Sequence, residues 1–176
     1  MSVCILGVFA NNIIGIEGSY LLSIAHGLVS PGLFMAVGGI LYDRYHTRMV
    51  AYYNGLLSFM PLFSLYFMVL SFANIGTPLS ANFIGEFFSI YGAFKTSPIL
   101  ATMATFSVLL SATYQMKLTN RMTGGYSPNI SNIGDLTSRE SVMLVSLILP
   151  TLFMGMYPQF IMNDLYHIVS STIYTL

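Results

Sequence analysis

The chain has 176 residues, of which 55% are hydrophobic and 7% charged, and its mean hydropathy is +0.74. Soluble domains carry about 25% charged residues, so six basic and six acidic side chains are too few to cover a water-facing surface. The composition predicts an all-α integral membrane protein, and the zero net charge gives no reason to expect nucleic acid as a partner.

The single Cys4 excludes an internal disulfide and a thiolate metal cluster. Within its apolar run it reads as a small packing residue before a reactive thiol. No P-loop, no dinucleotide fingerprint and no histidine pair at haem or zinc spacing appears. No cofactor and no metal are therefore expected, and any redox or nucleotide chemistry belongs to another chain.

Taken in order, residues 1–10 (MSVCILGVFA) are apolar but reach only about 15 Å as a helix, half a bilayer. They read as a partial helix that lies at the interface or completes one supplied by another chain. They lack the basic lead and small-residue cleavage site of a secretory signal. Residues 11–18 (NNIIGIEG) read as a turn, with Glu17 placed where a helix dipole favours an acid. Residues 19–42 form the first complete span. Pro31 lies inside it, and the missing donor predicts a kink beside His26 and Gly27. Residues 43–54 are a charged loop with Arg44, Arg48 and an aromatic pair suited to a headgroup zone.

Residues 58–96 are too long for one simple span, which takes roughly 20 residues. They are interrupted by Asn74-Ile75-Gly76-Thr77-Pro78, and Glu86 follows in the apolar run NFIGEFF. A helix broken in mid-membrane beside a buried acid is a way to build an ion site in a transporter. Gly76 and Pro78 are the residues expected to support the break. Residues 97–121 are a further span, closed by Lys117 and Arg121. The polar loop 122–138 ends in Thr137-Ser138-Arg139-Glu140, a capping box. It also carries a glycosylation sequon by pattern, Asn129-Ile130-Ser131. Residues 141–158 are the last span, with Pro150 inside, and residues 159–176 read as an amphipathic tail on the membrane surface. The whole chain is one membrane domain of about four transmembrane helices plus the partial N-terminal one.

Because spans alternate sides, the two long loops share a side. That side carries Arg44, Arg48, Lys117, Arg121 and Arg139, against Lys95 alone on the other. The bias places the long loops in the cytoplasm or the mitochondrial matrix, the side on which the sequon would not be used.

His26 and Glu86 are the candidates for chemistry. His26 lies about seven residues and Glu86 about ten from the outer ends of their antiparallel helices, roughly 11 and 15 Å, so both reach similar depth near the middle of the membrane. There an imidazole and a carboxyl can pass a proton through water or hydroxyls. The bland alternatives are a histidine that bridges two helices and an acid capped by a neighbour. Lys117 and Lys95 read as interfacial side chains that reach for the headgroups, and His46 and His167 as solvated.

The run GIEGSYLLSIAHGLVSPGLFMAVGGILYDRYHTR, then MPLFSLYFMVLSFANIGTPLSANFIGEFF, then GDLTSRE, resembles subunit four of mitochondrial proton-pumping NADH:ubiquinone oxidoreductase, respiratory complex I. Mrp-type antiporters are more distant in the resemblance. It implies a fold of fourteen transmembrane helices in which broken helices line proton half-channels, and covers its C-terminal part. It implies that His26 of the AHGL motif lies on the central proton path, and Glu86 of the GEF motif lies toward the exit. It also implies the mitochondrial inner membrane, with the charged loops facing the matrix, and a proton-translocating role driven by quinone reduction elsewhere. Expected partners are other membrane-arm subunits, lipids, and a chain that supplies the N-terminal helices of a split subunit. A shortened version of one longer chain is the other possibility there. An Mrp-type cation/proton antiporter subunit and a set of non-catalytic scaffold helices are the alternatives for function. Pro78-Leu79-Ser80 departs from the Pro-Gly-Thr often found at this break, Pro31 is unusual at its place, and Lys117 stands where relatives often have an aromatic or apolar residue.

Overall fold

A computed structural model describes residues 1–125 and 134–174. Among them there is no strand; the chain is a bundle of helices. These are α1 (Ser2–Phe9), α2 (Ile13–Tyr45), α3 (Pro61–Ile75), α4 (Ala81–Thr96), α5 (Pro98–Thr123), α6 (Ser138–Met156) and α7 (Gln159–Tyr174), with short helical turns at Val50–Tyr52 and Leu56–Phe59. Among the described residues, α2, α5 and α6 are long and apolar enough to cross a membrane, while α3 and α4 are the two halves of the interrupted stretch. The expected sequon at Asn129 lies outside the described residues.

Helix α2 is the axis of the bundle. It packs against α1, α3, α4, α6 and α7, and its contact with α4 is the most extensive of any pair. The reason is glycine. A Cβ added at Gly92 would stand 2.4 Å from the Gly15 Cα, one at Gly85 2.7 Å from the Leu22 backbone, and one at Gly18 2.6 Å from the Phe88 Cβ. With no side chains between them, the two backbones lie against each other.

This pairing corrects the reading of residues 11–18 as a turn. The turn stops at Asn12, and helix begins at Ile13. Gly15 and Gly18 are there to let α4 approach, so their effect on packing outweighs their low helix propensity. Glu17 consequently lies beyond the first turn of α2 and is buried, with Oε1 lacking a hydrogen-bond partner among the described residues. The helix also stays α-helical past Pro31. The widened, π-type turns fall after it, at Met35–Leu41, where Ala36, Gly38 and Gly39 offer little bulk to resist an extra residue per turn.

The end that carries the basic loops is tied by a polar network. The Arg44 guanidinium donates to Glu140 Oε2 at 2.9 Å and to the Asp135 carbonyl at 3.1 Å. The Asp135 carboxylate accepts from the Leu62 and Phe63 amides, capping the start of α3 behind Pro61. Thr137 and Glu140 form the capping box of α6. Tyr53 is buried and its hydroxyl donates to the Thr47 carbonyl; burial pushes its phenol pKa up. Beneath this network lies the main apolar core, in which Phe63, Phe67 and Leu70 of α3 meet Leu41 of α2, Met122 of α5 and Leu144 of α6.

At the other end α7 docks along α2, and Val169 is buried. Residues 159–174 are thus packed on the bundle through this face. Helix α1 packs on α2 and α4 through Val3, Cys4 and Gly7.

Candidate functional site

The site is built by the way α3 ends and α4 begins. Gly76 terminates α3 with φ 79° and ψ 47°. Its amide donates to the Ala73 carbonyl at 3.2 Å and the Thr77 amide donates to the Phe72 carbonyl at 3.2 Å, which closes a Schellman motif. The chain then turns through Thr77-Pro78-Leu79-Ser80. The Ser80 amide returns to the Thr77 carbonyl at 3.1 Å, and Leu79 adopts φ 78°. Proline second and a positive φ third are the pattern of a type II turn, whose third position favours glycine. Leucine fills it here at a conformational cost.

That cost makes a simple prediction. Leu79 is 66% exposed, so little packing is lost by removing its side chain. Leu79→Gly is expected to stabilise the break by about 1 kcal/mol, seen as a higher midpoint of thermal unfolding for the assembled protein. The turn is also clamped from outside. A Cβ at Gly155 of α6 would stand 2.1 Å from the Leu79 carbonyl oxygen, so α6 touches the break through a glycine.

Two side chains cross the break. The Asn82 Nδ2 donates to the Ala73 carbonyl at 2.9 Å, joining the first turn of α4 to the last turn of α3. Glu86 lies one turn further along α4, and its carboxylate reaches back to the Gly76 backbone. A Cβ on Gly76 would stand 2.6 Å from Glu86 Oε2. Glu86 has no ion pair among the described residues.

Glu86 and His26 line the same cavity, of about 250 Å³, together with Asn74, Asn82, Ser111 and Tyr114. A second cavity, of about 260 Å³, shares His26 and Asn74 and continues toward the basic-loop end past Ser30 and the buried Gln115. Each is large enough for several waters; the first presents many polar groups to hold them, whereas the second is lined mostly by apolar side chains. The structure therefore brings His26 and Glu86 to one cavity across α2 and α4, with His26 and Asn74 at the junction with the second. The Gly76 backbone lies against the Glu86 carboxylate. Pro78 lies in the turn, and Pro31 lines neither cavity. Lys117 is exposed on α5. Among the described residues no three His, Cys, Asp or Glu side chains converge as a metal site.

Asn74, Asn82 and Gln115 are polar groups of the site that the sequence reading passed over. Asn82 was detectable, because it stands four residues before Glu86 and so shares its helix face. Gln115 carries no such signal.

Residues 1–111 match the family described as NADH:quinone oxidoreductase/Mrp antiporter, transmembrane. The chain belongs to that family. Among its relatives in this antiporter-type family, the chain is 58% identical over 167 residues to NADH-ubiquinone oxidoreductase chain 4 of Debaryomyces hansenii, covering 94% of this chain and 36% of the relative. It is 39% identical to the protein of that name from Arabidopsis thaliana, over 98% of this chain and 35% of the relative. The chain thus spans about a third of the length of these relatives. A chain of respiratory complex I from Thermus thermophilus with bound NADH superposes with a TM-score of 0.89 at 31% identity, over 98% of this chain and 36% of that one. A chain of the Mrp complex from Dietzia sp. DQ12-45-1b gives 0.84 at 19% identity over 97% of this chain and 40% of that one, a likeness of fold. The all-helical membrane fold expected from composition is therefore the antiporter-like fold of this family.

Proposed function

We propose that this chain is part of the proton-translocating membrane arm of an NADH:ubiquinone oxidoreductase, with His26 and Glu86 on its proton path. The observation that carries the reading is the cavity, large enough for several waters, shared by His26 and Glu86 beside a helix broken at Gly76 and Pro78. The second cavity continues from His26 toward the basic-loop end, lined mostly by apolar side chains with Ser30, Asn74 and Gln115 among them. A proton would enter from that end, pass His26 and Asn74, and reach Glu86. The redox chemistry that drives it lies outside this chain. On this reading the assembly sits in the mitochondrial inner membrane, and the basic bias of the loops around Arg44 and Arg139 supports the matrix as the side they face.

The same reading gives the partners. Phe106, Leu109 and Leu110 of α5 are exposed on a helix apolar enough for a membrane, a surface suited to lipid or to other helices. The relatives are longer than the match, so further helices of the fold and other membrane-arm subunits are the expected neighbours. That the further helices come from a separate polypeptide is tested by mass spectrometry of the purified complex.

The decisive experiment is Glu86→Gln in the assembled enzyme. Protons moved per NADH oxidised should fall, while the amount of assembled enzyme changes much less. Loss of assembled enzyme with normal pumping in what remains would instead assign Glu86 a structural role.

A further inference from the structure

Among the polar groups that line the cavity, the Asn82 carboxamide is buried with half of its bonding unmet among the described residues. Its Nδ2 is committed to the Ala73 carbonyl at 2.9 Å. Because that partner is an acceptor, the other terminus of the amide is the oxygen, and its orientation follows from chemistry. Oδ1 has no partner among the described residues, although the side chain is only 2% exposed. A buried amide oxygen left without a donor loses its hydration with nothing in exchange. Asn82 lines the same cavity as Glu86 and stands one helical turn before it on α4. Residues four apart on a helix lie about 5–6 Å apart at Cβ, within reach of a direct or single-water hydrogen bond.

A neutral Glu86 carboxylic acid has one O–H to donate; the carboxylate has none. An acceptor that can receive nothing from the carboxylate therefore favours the protonated form. We propose that Asn82 is a positioning residue for the Glu86 proton: its Oδ1 accepts from the Glu86 carboxylic acid, directly or through one water, while its Nδ2 holds the end of α3. The inference rests on Glu86 being a proton site, as argued above. It adds that one side chain fastens the two half-helices and selects the protonated state of the acid. A change in the spacing of α3 and α4 would then move the acceptor relative to Glu86, joining the shape of the break to the occupancy of the acid.

The test uses the assembled enzyme. Asn82→Leu removes both donor and acceptor with little change of volume; Asn82→Ser puts a shorter hydroxyl in place of the carboxamide and withdraws the amide oxygen. The readouts are protons moved per NADH oxidised, NADH oxidation itself, and the infrared carbonyl band of protonated Glu86, assigned by its disappearance in Glu86→Gln. Both Asn82 variants are expected to shift that band to higher frequency, as for an acid that has lost an acceptor, and to lower the proton yield toward that of Glu86→Gln. NADH oxidation per assembled enzyme is measured alongside, so that the proton yield is read per electron pair transferred. If Asn82→Leu fails to assemble, Asn82→Ser decides alone. An unchanged band and unchanged proton yield in Asn82→Ser overturn the inference, as does lost assembly of both variants. Normal pumping in Glu86→Gln would instead overturn the reading on which it rests.

Discussion

Gly92→Ala should push α2 and α4 apart and lower the yield of folded, assembled protein. The added methyl would sit 2.4 Å from the Gly15 Cα and 2.7 Å from the Gly15 nitrogen, and both are backbone atoms with no rotamer to change. Overpacking a well-filled interface typically costs 1–3 kcal/mol, and about 3 kcal/mol is the appropriate end of the range when backbone meets backbone. The measurement is the thermal midpoint and amount of assembled enzyme in isolated membranes. Wild-type values for both would mean that the two helices are not held at this separation in the assembly.

Gly76→Ala should impair proton transfer while leaving most of the bundle folded. Two effects act together. A non-glycine residue at φ 79° costs about 1–2 kcal/mol, and the new methyl meets Glu86 Oε2 at 2.6 Å. The carboxylate must swing away from the break, out of the place where it faces Asn82 and His26 across the cavity. Gly76→Asn separates the two causes. Asparagine tolerates the left-handed conformation better than alanine, yet it carries the same Cβ. Both variants should lose proton yield per NADH oxidised, whereas the loss of thermal stability should be smaller in Gly76→Asn. Equal pumping to wild type in either variant would show that the Glu86 position is not set by contact with Gly76.

How much of this was legible before the structure depends on the kind of residue. Low charge and long apolar runs announce membrane helices because lipid allows few other backbone solutions. The break was legible because Gly76 and Pro78 act locally: one tolerates positive φ, and the other cannot donate its backbone nitrogen. Glycines 15 and 18 were misread for the same reason. Their local signal is that of a turn, but their role is set by Phe88, Ser89 and Gly92 on a helix far along the chain. Pro31 was expected to disturb the helix beside His26, but the disturbance lies at Met35–Leu41, where small residues permit it. His26 and Glu86 stood out as ionisable groups in apolar surroundings. Their common cavity could be estimated only as similar depth, since which faces meet depends on the glycine-paired register of α2 and α4.

The anchors of the broken helix have a mechanical consequence. At one end, Asp135 caps α3 while its carbonyl is held by Arg44, which also grips Glu140. At the other end, α4 is fastened to α2 through Gly85 and Gly92. Both halves are thus bolted to the same strut, and the slack between them is confined to the five residues 76–80. A displacement delivered to the basic loops by a neighbouring subunit would be carried as a lever arm along α3. It would come to rest at the turn beside the Glu86 carboxyl.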